Sequence, residues 1–221
     1  MTAHGTRARS RTPLTRERVL RAAVGLADGS GIESVSMRRL GHALGVEAMS
    51  LYNHVASKDD LLDGMCDLVW GEIELPVAGG RWREAIRATA ISAHDVLVRH
   101  PWAPSLVMAR PGILAARIRY MEAILRAFRE GGCPPELTFH AYHAVDSHVI
   151  GFTLWQLGHT LPPGDPDELK ERLVRELAPD HPYLVEHAEQ HFSGFGREGE
   201  GEFAFVLDLL LDGLERVQAA G

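Results

Sequence analysis

The amino-acid sequence predicts an all-α protein in which a small N-terminal domain of three helices, containing a helix-turn-helix, precedes a larger helical domain. Three observations support this fold class. Apolar residues recur at the three-and-four spacing of amphipathic helices along almost the whole chain, no segment shows the alternation of a strand, and glycine and proline separate the helical segments. With 221 residues and 45% hydrophobic content, the chain can bury a substantial core.

The first two helices are marked by their ends. Thr15 precedes the first helix and Ser36 precedes the second, and both side chains can accept a hydrogen bond from an N–H group in the first turn. The first helix is predicted to end within Asp28-Gly29-Ser30-Gly31, and the second at Gly45, because glycine adopts the left-handed conformation that closes a helix at low cost. Apolar residues at helical spacing define the buried face of the first helix: Val19, Leu20, Ala23 and Leu26.

A tight turn, Leu44-Gly45-Val46, joins the second helix to a short third helix predicted from Glu47 to His54. This spacing is typical of a helix-turn-helix, whose second helix enters the major groove of DNA. Leu51 and Val55 are predicted to face inward, and the opposite face can contact bases or phosphates. An ordinary three-helix cap without DNA contacts is the alternative. The side chains predicted to face outward are Met49, Ser50, Asn53 and His54.

Charge is divided unevenly along the chain. Residues 1–58 hold nine basic and four acidic side chains, a balance of +5, while the other 163 residues hold 14 basic and 26 acidic ones, a balance of −12. Since Lys and Arg neutralise DNA phosphates, the N-terminal part is the end that can approach DNA, despite the net charge of −7. Arg7, Arg9 and Arg11, taken alone, favour a disordered basic tail over residues 1–13.

Further helices are predicted beyond the third. A fourth helix begins at Lys58, after the N-cap residue Ser57, and extends to about Glu74. The last predicted helix is too apolar to be a solitary surface helix, and small residues make the helix that begins at Glu136 its natural partner. The alternative is that both form only the core of a monomer. The predicted helices after the fourth are Trp82–His100, Pro111–Glu130, Glu136–Leu161, Asp167–Glu189 and Glu202–Ala219.

Residues 36–65, SMRRLGHALGVEAMSLYNHVASKDDLLDGM, closely resemble the DNA-binding segment of the tetracycline-repressor (TetR) family of transcriptional regulators. The resemblance rests on the Leu-Gly-Val turn, the Leu-Tyr-x-His-Val core of the recognition helix and the Ser-Lys-x-x-Leu-Leu start of the fourth helix. It implies base reading by Arg38 and phosphate contacts by Tyr52 and Lys58, and it places Asn53 at a more variable position. The other residues that it implies on the recognition helix are Ala48, Met49, Ser50 and His54.

The resemblance also implies the organisation of the whole chain. After the basic tail, residues 14–64 form the helix-turn-helix DNA-binding domain and residues 65–221 form an effector-binding and dimerisation domain. Helices Glu136–Leu161 and Glu202–Ala219 are expected to build a four-helix interface with a second copy, giving a homodimer. A symmetric dimer presents two recognition helices, so the expected partner is double-stranded DNA with a palindromic operator. The expected function is repression that a small-molecule effector relieves.

Large side chains of the middle helices are the candidates for an effector pocket. The Arg110-Pro111 step resembles one at the pocket of tetracycline-binding members of the family. Those members carry a metal-ligating histidine shortly before this step, whereas this chain has Leu106, Val107 and Met108. The difference disfavours magnesium-tetracycline and favours a mainly apolar effector, with no cofactor. The predicted pocket residues are Trp70, Trp102, Met108, Arg110, Met121, His148 and Trp155.

Two other functions compete with this prediction. His140 and His143, and likewise His187 and His191, have the spacing of metal-ligand pairs, which would suit a metal-responsive regulator, although no third ligand is placed by the sequence. An α-helical enzyme is the weaker alternative, since no nucleophile elbow, phosphate-binding loop or paired-carboxylate motif is present. The two cysteines lie far apart, and no leader or membrane span is visible, so we expect a cytoplasmic protein.

Overall fold

A computed structural model describes residues 13–77, 79–110, 114–158, 165–177, 179–192 and 199–220, and the regular structure within these ranges is entirely helical. Contacts divide the chain into two compact units, Met1–Leu68 and Val69–Gly221. This division falls after residue 68, inside a helix, rather than after residue 64 as the sequence predicts. The predicted basic tail, with Arg7, Arg9 and Arg11, lies outside the described residues except for its last position.

The first unit contains the predicted helix-turn-helix. Its helices are α1 (Arg16–Ser30), α2 (Met37–Leu44), α3 (Ala48–Leu51) and most of α4 (Lys58–Trp70), with a 3₁₀ turn at Ile32–Ser34. All three predicted N-caps are confirmed. The side chain of Thr15 accepts a hydrogen bond from the N–H of Arg18, that of Ser36 from the N–H of Arg39, and that of Ser57 from the N–H of Asp60. The core of this unit includes the side chains of Val19, Leu20, Ala23, Leu40, Leu51, Val55, Leu61 and Met65.

Two helices of this unit are shorter than predicted. Helix α3 ends at Leu51 instead of His54, because the next three N–H groups bond to carbonyls three residues earlier, which winds the chain into tight turns. Tyr52, Asn53 and His54 therefore lie in turns and not on the helix. Helix α4 ends at Trp70 instead of Glu74, since Gly71 and the residues after it also form turns.

The second unit is built around α8, which packs against four other helices. Helices α5 (Trp82–Arg99), α6 (Ala103–Ala109), α7 (Ala115–Glu130) and α11 (Gly199–Ala220) all contact α8 (Pro135–Gly158). Helices α9 (Pro166–Leu177) and α10 (Pro182–Phe192) pack against each other. The apolar stripe of α11 is partly core, since the side chains of Phe203, Leu207 and Leu211 are buried. None of the described helices is long and apolar enough to span a membrane.

One predicted helix of this unit is wrong, one observed helix was not predicted, and two predicted helices have different ends. The single helix predicted over residues 167–189 is two helices, because Pro179 and Pro182 interrupt the backbone hydrogen bonding between α9 and α10. Helix α6 was not predicted, since its seven residues are too few to show a helical period. The helix predicted from Pro111 begins at Ala115, and the one predicted to Leu161 ends at Gly158. Residues 111–113 and 159–161 lie outside the described ranges.

Candidate nucleic-acid interface

The turn between α2 and α3 is held by two glycines. Gly45 has the left-handed backbone conformation, with φ of 67° and ψ of 36°, which closes α2 without strain. The N–H of Val46 donates to the carbonyl of Gly41 at 2.9 Å. A Cβ atom added to Gly41 would lie 2.8 Å from the carbonyl oxygen of Val46. The two helices therefore approach as closely as their backbones allow, and this fixes the direction of α3.

The segment that follows this turn, residues 48–54, is named the reading segment. Its inner side is anchored by Leu51, which is fully buried, and Val55 is buried just beyond its end, as predicted. On the outer side, Met49 is 75% exposed and Tyr52 is 44% exposed. Asn53 is also exposed, whereas Ala48, Ser50 and His54 are half-buried. The remaining predicted DNA contacts, Arg38 and Lys58, are exposed at the first turns of α2 and α4.

An ion pair that the sequence analysis missed holds the end of the reading segment. Arg16 forms two hydrogen bonds with Asp60, at 2.8 and 2.6 Å, and also donates to the backbone carbonyl of His54 at 3.0 Å. The same carboxylate accepts from the N–H of Ala56 at 2.7 Å. One guanidinium thus ties α1 to the last residue of the reading segment and to the first turn of α4. The S-x-x-D spacing of Ser57 and Asp60, typical of a capping box, places Asp60 at the start of α4 but does not identify Arg16 as its partner.

The pair also sets the protonation of its acid. The Arg16 guanidinium, and after it the Ala56 N–H, hold the pKa of the Asp60 carboxyl below its ordinary value. Because the folded-state pKa is lowered, the pair stabilises the fold at pH values above the ordinary Asp pKa of about 4, and that stabilisation is lost as the pH falls through the folded-state pKa. At neutral pH the Arg16 anchor is therefore fully charged.

Positive charge on the outer side of this unit is not all balanced by carboxylates. Arg16 is paired with Asp60 and Arg21 with Glu17. By contrast, Arg38 and Arg39 are exposed, and no carboxylate among the described residues forms an ion pair with either. Cations without an internal partner are the ones that can replace counterions on DNA phosphates. The first turn of α2 can therefore offer two cations to DNA phosphates.

Of the predicted pocket residues, Trp70 and His148 lie in different side-chain clusters of the second unit. The Trp70 ring contacts Tyr120 edge to face at 5.2 Å, with the Arg117 guanidinium 4.2 Å above its centre. His148 donates from Nε2 to the carbonyl of Phe203 at 3.0 Å. The ring of His148 stacks on the ring of Phe203, with 4.6 Å between their centroids. The ring of His94 also stacks on Phe203, at 4.1 Å.

The other predicted pocket residues lie at separate places along the described helices and at their ends. Trp102 is buried beside His100, and Arg110 is half-buried at the end of α6. The side chains of Met108, Met121 and Trp155 are exposed. A cavity of about 300 Å³ lies between α5, α7 and the segment before α5, but none of the seven predicted residues lines it. The pocket assignment as a whole stays a prediction.

Histidine pairs were the basis of the metal-responsive alternative. His140 and His143 lie exposed on α8, and the imidazole Nδ1 of His143 is 2.8 Å from the carbonyl of Phe139. His187 is exposed on α10, while the side chain of His191 is outside the described part of the structure. Within the described residues, no three His, Cys, Asp or Glu side chains converge as metal ligands. The described part of the chain therefore adds no support for this alternative.

A rigid helix-turn-helix with exposed polar, aromatic and cationic side chains, joined to a larger helical unit, defines a DNA-binding transcriptional regulator. Comparison with known proteins agrees with this class. Residues 19–65 match the family "Bacterial regulatory proteins, tetR family", and residues 75–218 match the family "Tetracyclin repressor-like, C-terminal domain". The chain belongs to the TetR family, which confirms the resemblance seen in the sequence. It is therefore a DNA-binding transcriptional regulator of this family.

Individual relatives cover most of the chain. An HTH-type transcriptional regulator of Saccharopolyspora erythraea is 36% identical over 182 residues, which are 80% of this chain and 76% of the relative. Tetracycline repressor protein class D of Escherichia coli is 32% identical over 171 residues, 74% of this chain and 78% of that protein. The crystal structure of the Streptomyces coelicolor TetR family protein ActR in complex with actinorhodin is 27% identical, has a TM-score of 0.74, and is matched over 94% of this chain and 99% of ActR.

Proposed function

We propose that the protein binds a palindromic operator as a homodimer and that a small, mainly apolar effector releases it. The observation that carries the proposal is the reading segment, held between the Gly41–Val46 contact and the Arg16–Asp60 pair and exposed on its outer side. A rigid reading helix does not have to lose conformational freedom when it enters a groove, so less binding energy is spent on ordering it. Binding of DNA, rather than catalysis, is the proposed activity, and the bacterial cytoplasm is the proposed location.

The exposed side chains fall into two groups by chemistry. Arg38 and Ser50 can donate to base edges, and Met49 can contact a thymine methyl group. Tyr52 and Lys58 can donate to phosphate oxygens, which fix register without reading sequence. Ala48 can pack against a base or a sugar. Asn53 and His54 complete the surface, and either can donate to a base or to a phosphate.

The phosphate assignment can be tested with matched variants. The chain has two lysines, Lys58 and Lys170, and a second exposed tyrosine, Tyr183, on α10. We expect Lys58→Ala and Tyr52→Phe to lower the affinity for every duplex by a similar factor. Lys58→Ala should also reduce the slope of log affinity against log salt concentration by about 1. Lys170→Ala and Tyr183→Phe are the controls and should leave DNA binding unchanged. Unaltered binding by both Lys58→Ala and Tyr52→Phe would remove the assignment.

The operator itself can be obtained by selecting bound duplexes from a random pool. Two recognition helices related by a two-fold axis should recover an inverted repeat whose half-sites are separated by about one helical turn, or 10–10.5 base pairs. Recovery of a single half-site without an inverted partner would argue against the dimeric arrangement. Recovery of no sequence preference at low salt would argue against the proposed function as a whole.

Exposed apolar and small residues form a stripe on α8 and another on α11. On α8 the stripe contains Gly151, Trp155 and Gly158, all exposed, at spacings of four and three residues. On α11, Phe205 is 63% exposed and Leu209 is 53% exposed. These residues lie opposite the buried faces of the same helices, so burial within one chain does not account for them. A second copy that packs α8 and α11 against their equivalents would cover both stripes.

Gly151 offers a clean test of this interface. A Cβ atom added there meets no atom of the chain within 4 Å, and the same holds for Gly25 on α1. We expect Gly151→Leu to fold as the wild type does but to shift the protein from dimer to monomer in sedimentation experiments, because a leucine would prevent close helix approach. Gly25→Leu is the control and should remain dimeric. A dimer of unchanged strength in Gly151→Leu would place the interface elsewhere.

Release by an effector requires a difference in affinity. A ligand that binds the free and DNA-bound forms equally shifts nothing, so the effector must favour a conformation of the second unit that does not suit the operator. ActR, matched over nearly its whole length, binds actinorhodin, and that complex supports a small-molecule effector here. Helix α4 runs from Lys58 to Trp70 without interruption, so a shift near Trp70 would be transmitted to Lys58 along a single helix.

A further inference from the structure

Buried polar atoms without hydrogen-bond partners are concentrated at one place in the second unit. Five such side-chain atoms occur among the described residues, and four of them belong to side chains in mutual contact. We name these side chains the polar cluster: Trp70, Arg117, Tyr120 and Asp146. Unpaired buried polar groups are rare in native proteins, and each one costs free energy. Four in one cluster mark a place where a hydrogen-bonding molecule, either ordered water or a ligand, can be held.

The cluster is built on an ion pair in which only one of the two hydrogen bonds of a bidentate arrangement is formed. Arg117 donates from Nη2 to Oδ2 of Asp146 at 2.6 Å, while Nη1 of Arg117 and Oδ1 of Asp146 are buried and unpartnered. The guanidinium also lies 4.2 Å above the centre of the Trp70 ring, a cation–π distance. Nη1 and Oδ1 therefore offer one donor and one acceptor from the same pair.

The rings of the cluster add further hydrogen-bonding groups. Nε1 of Trp70 is an unpartnered donor, and the hydroxyl of Tyr120 is unpartnered as well. Burial, and after it the nearby Asp146 carboxylate, raise the pKa of Tyr120 above its ordinary value, so its hydroxyl keeps the proton and can donate or accept. Trp70 and Tyr120 are almost completely buried, whereas the side chains of Arg117 and Asp146 remain 23% and 16% exposed. A ligand would approach from the side of the ion pair.

We propose that the polar cluster anchors the effector and that it recognises a neutral, flat ring system carrying a carbonyl oxygen beside an N–H or O–H group. This inference rests on the proposed function, in which an effector binds the second unit. The two lone pairs of a carbonyl can accept from Nη1 of Arg117 and Nε1 of Trp70, and the adjacent donor can bond to Oδ1 of Asp146. The ligand is neutral because the charges of Arg117 and Asp146 already balance each other.

The inference refines the expectation of a mainly apolar effector. Burial of an apolar ring gives affinity but discriminates weakly between similar molecules. A site that must satisfy buried donors and acceptors rejects analogues that lack the matching group, because its own polar atoms are then left unpaired. The polar cluster would therefore supply the specificity, and the apolar body of the effector the affinity.

A pair of probes tests this chemistry directly. 2-Quinolinone has a ring N–H beside its carbonyl, and N-methyl-2-quinolinone carries a methyl group in place of that hydrogen and so lacks the donor. With the full-length protein in a calorimeter, we expect 2-quinolinone to bind and its N-methyl analogue to bind at least about tenfold more weakly. Equal binding of the two compounds would overturn the proposal. So would the absence of 2-quinolinone binding at concentrations up to about 1 mM, the result expected if the cluster holds only ordered water.

Variants of the ion pair add a result that unfolding cannot imitate. Asp146→Asn leaves the positive charge of Arg117 unbalanced, so we expect this variant to lose affinity for 2-quinolinone about tenfold and to bind the anion quinoline-2-carboxylate more tightly than the wild type does. Arg117→Met should weaken binding of 2-quinolinone without any gain for the anion. Arg126→Met, on the same helix but with an exposed Glu122 partner, is the matched control and should bind both probes as the wild type does. The absence of any gain for the anion in Asp146→Asn would contradict the assignment.

Operator binding measured in parallel, without any compound, separates this inference from the function on which it rests. If the operator is bound and the probes fail, the polar cluster is not the anchoring site and the regulator function stands. If the operator is not bound at low salt, the proposed function itself fails.

Discussion

Two neighbouring arginines in the first unit and two in the second have opposite surroundings. In the first unit, Arg38 and Arg39 are exposed beside the reading segment, with no carboxylate pairing to them in the described structure. In the second unit, Arg83 and Arg87 on α5 form ion pairs with acidic residues of α11. Those acidic residues are Asp208, Asp212 and Glu215. The same side chain is available for phosphates in one unit and is used for internal packing in the other.

This difference explains how a chain of net charge −7 can bind DNA. Only cations that lack an internal partner release counterions when they meet phosphates, so the electrostatic part of DNA affinity depends on the local charge and not on the sum. The excess of acidic residues in the second unit helps to keep that unit away from the DNA backbone. Four predictions, from the largest expected effect to the smallest, test the contrast between the units.

The largest effect should follow from a single methyl group in the helix-turn-helix. Gly41→Ala places a Cβ 2.8 Å from the Val46 carbonyl oxygen, and backbone cannot move aside as a side-chain end can. We expect a loss of about 2–3 kcal/mol in stability of the first unit and a loss of operator binding. Gly25→Ala on α1 is the control, since nothing lies within 4 Å, and it should be neutral or slightly stabilising. Chemical denaturation and mobility-shift titration measure both quantities.

Removal of one arginine from each unit is the second test. Arg38→Ala should weaken operator binding by about 1–3 kcal/mol and relax base preference at one position of each half-site. Arg87→Ala, which removes a guanidinium paired with Asp208, should leave operator binding unchanged and lower the melting temperature instead. Equal effects of the two variants on DNA binding would show that the contrast in arginine surroundings has no functional meaning.

The third test concerns the anchor of the reading segment. Arg16→Ala removes the two bonds to Asp60 and the bond to the His54 carbonyl, so we expect a loss of about 1 kcal/mol in stability and a several-fold loss in operator affinity. Arg21→Ala, on the same helix, breaks an exposed pair with Glu17 and should change both by less than about 0.5 kcal/mol. A similar small effect for Arg16→Ala would mean that the turn glycines alone hold the segment.

The smallest effect should be a pH dependence in the second unit. Burial lowers the pKa of His148, only partly opposed by its hydrogen bond to the Phe203 carbonyl, and His94 faces it across the Phe203 ring. Because the unfolded chain takes up the proton first, stability should fall as the pH drops below about 6.5, by less than about 1 kcal/mol. His148→Gln should flatten this slope, whereas His143→Gln, exposed on the same helix, should not. Thermal melts between pH 5 and 8, about the range of His titration, measure this pH dependence of stability.

Features set by short stretches of sequence were the most predictable ones. The caps at Thr15 and Ser36 and the turn at Gly45 depend on residues a few positions apart, and the sequence is sufficient to locate them. The same holds for the inward positions of Leu51 and Val55. The break between α9 and α10 was also readable, because Pro179 and Pro182 lie inside the predicted helix, and apolar periodicity was wrongly given more weight.

Features set by distant residues could not be predicted in the same way. The Arg16–Asp60 pair joins positions that are 44 residues apart. Nothing in the sequence indicates that these two charged residues, among many others, contact each other. The polar cluster joins α4, α7 and α8, so its unpaired atoms become visible only when the helices are packed. Trp70 was predicted as a pocket residue because of its large ring. Arg117 and Asp146, which supply the charged groups of the cluster, were not predicted because no motif in the sequence marks them.

The central claim is that two reading segments, one from each chain of a symmetric dimer, bind one operator. Sedimentation of the protein with a selected palindrome, and with a duplex of equal length that keeps only one half-site, tests it most directly. We predict two chains on each palindrome and at least about a hundredfold weaker binding to the half-site duplex. One chain per duplex, with equal affinity for the two DNAs, would contradict the account.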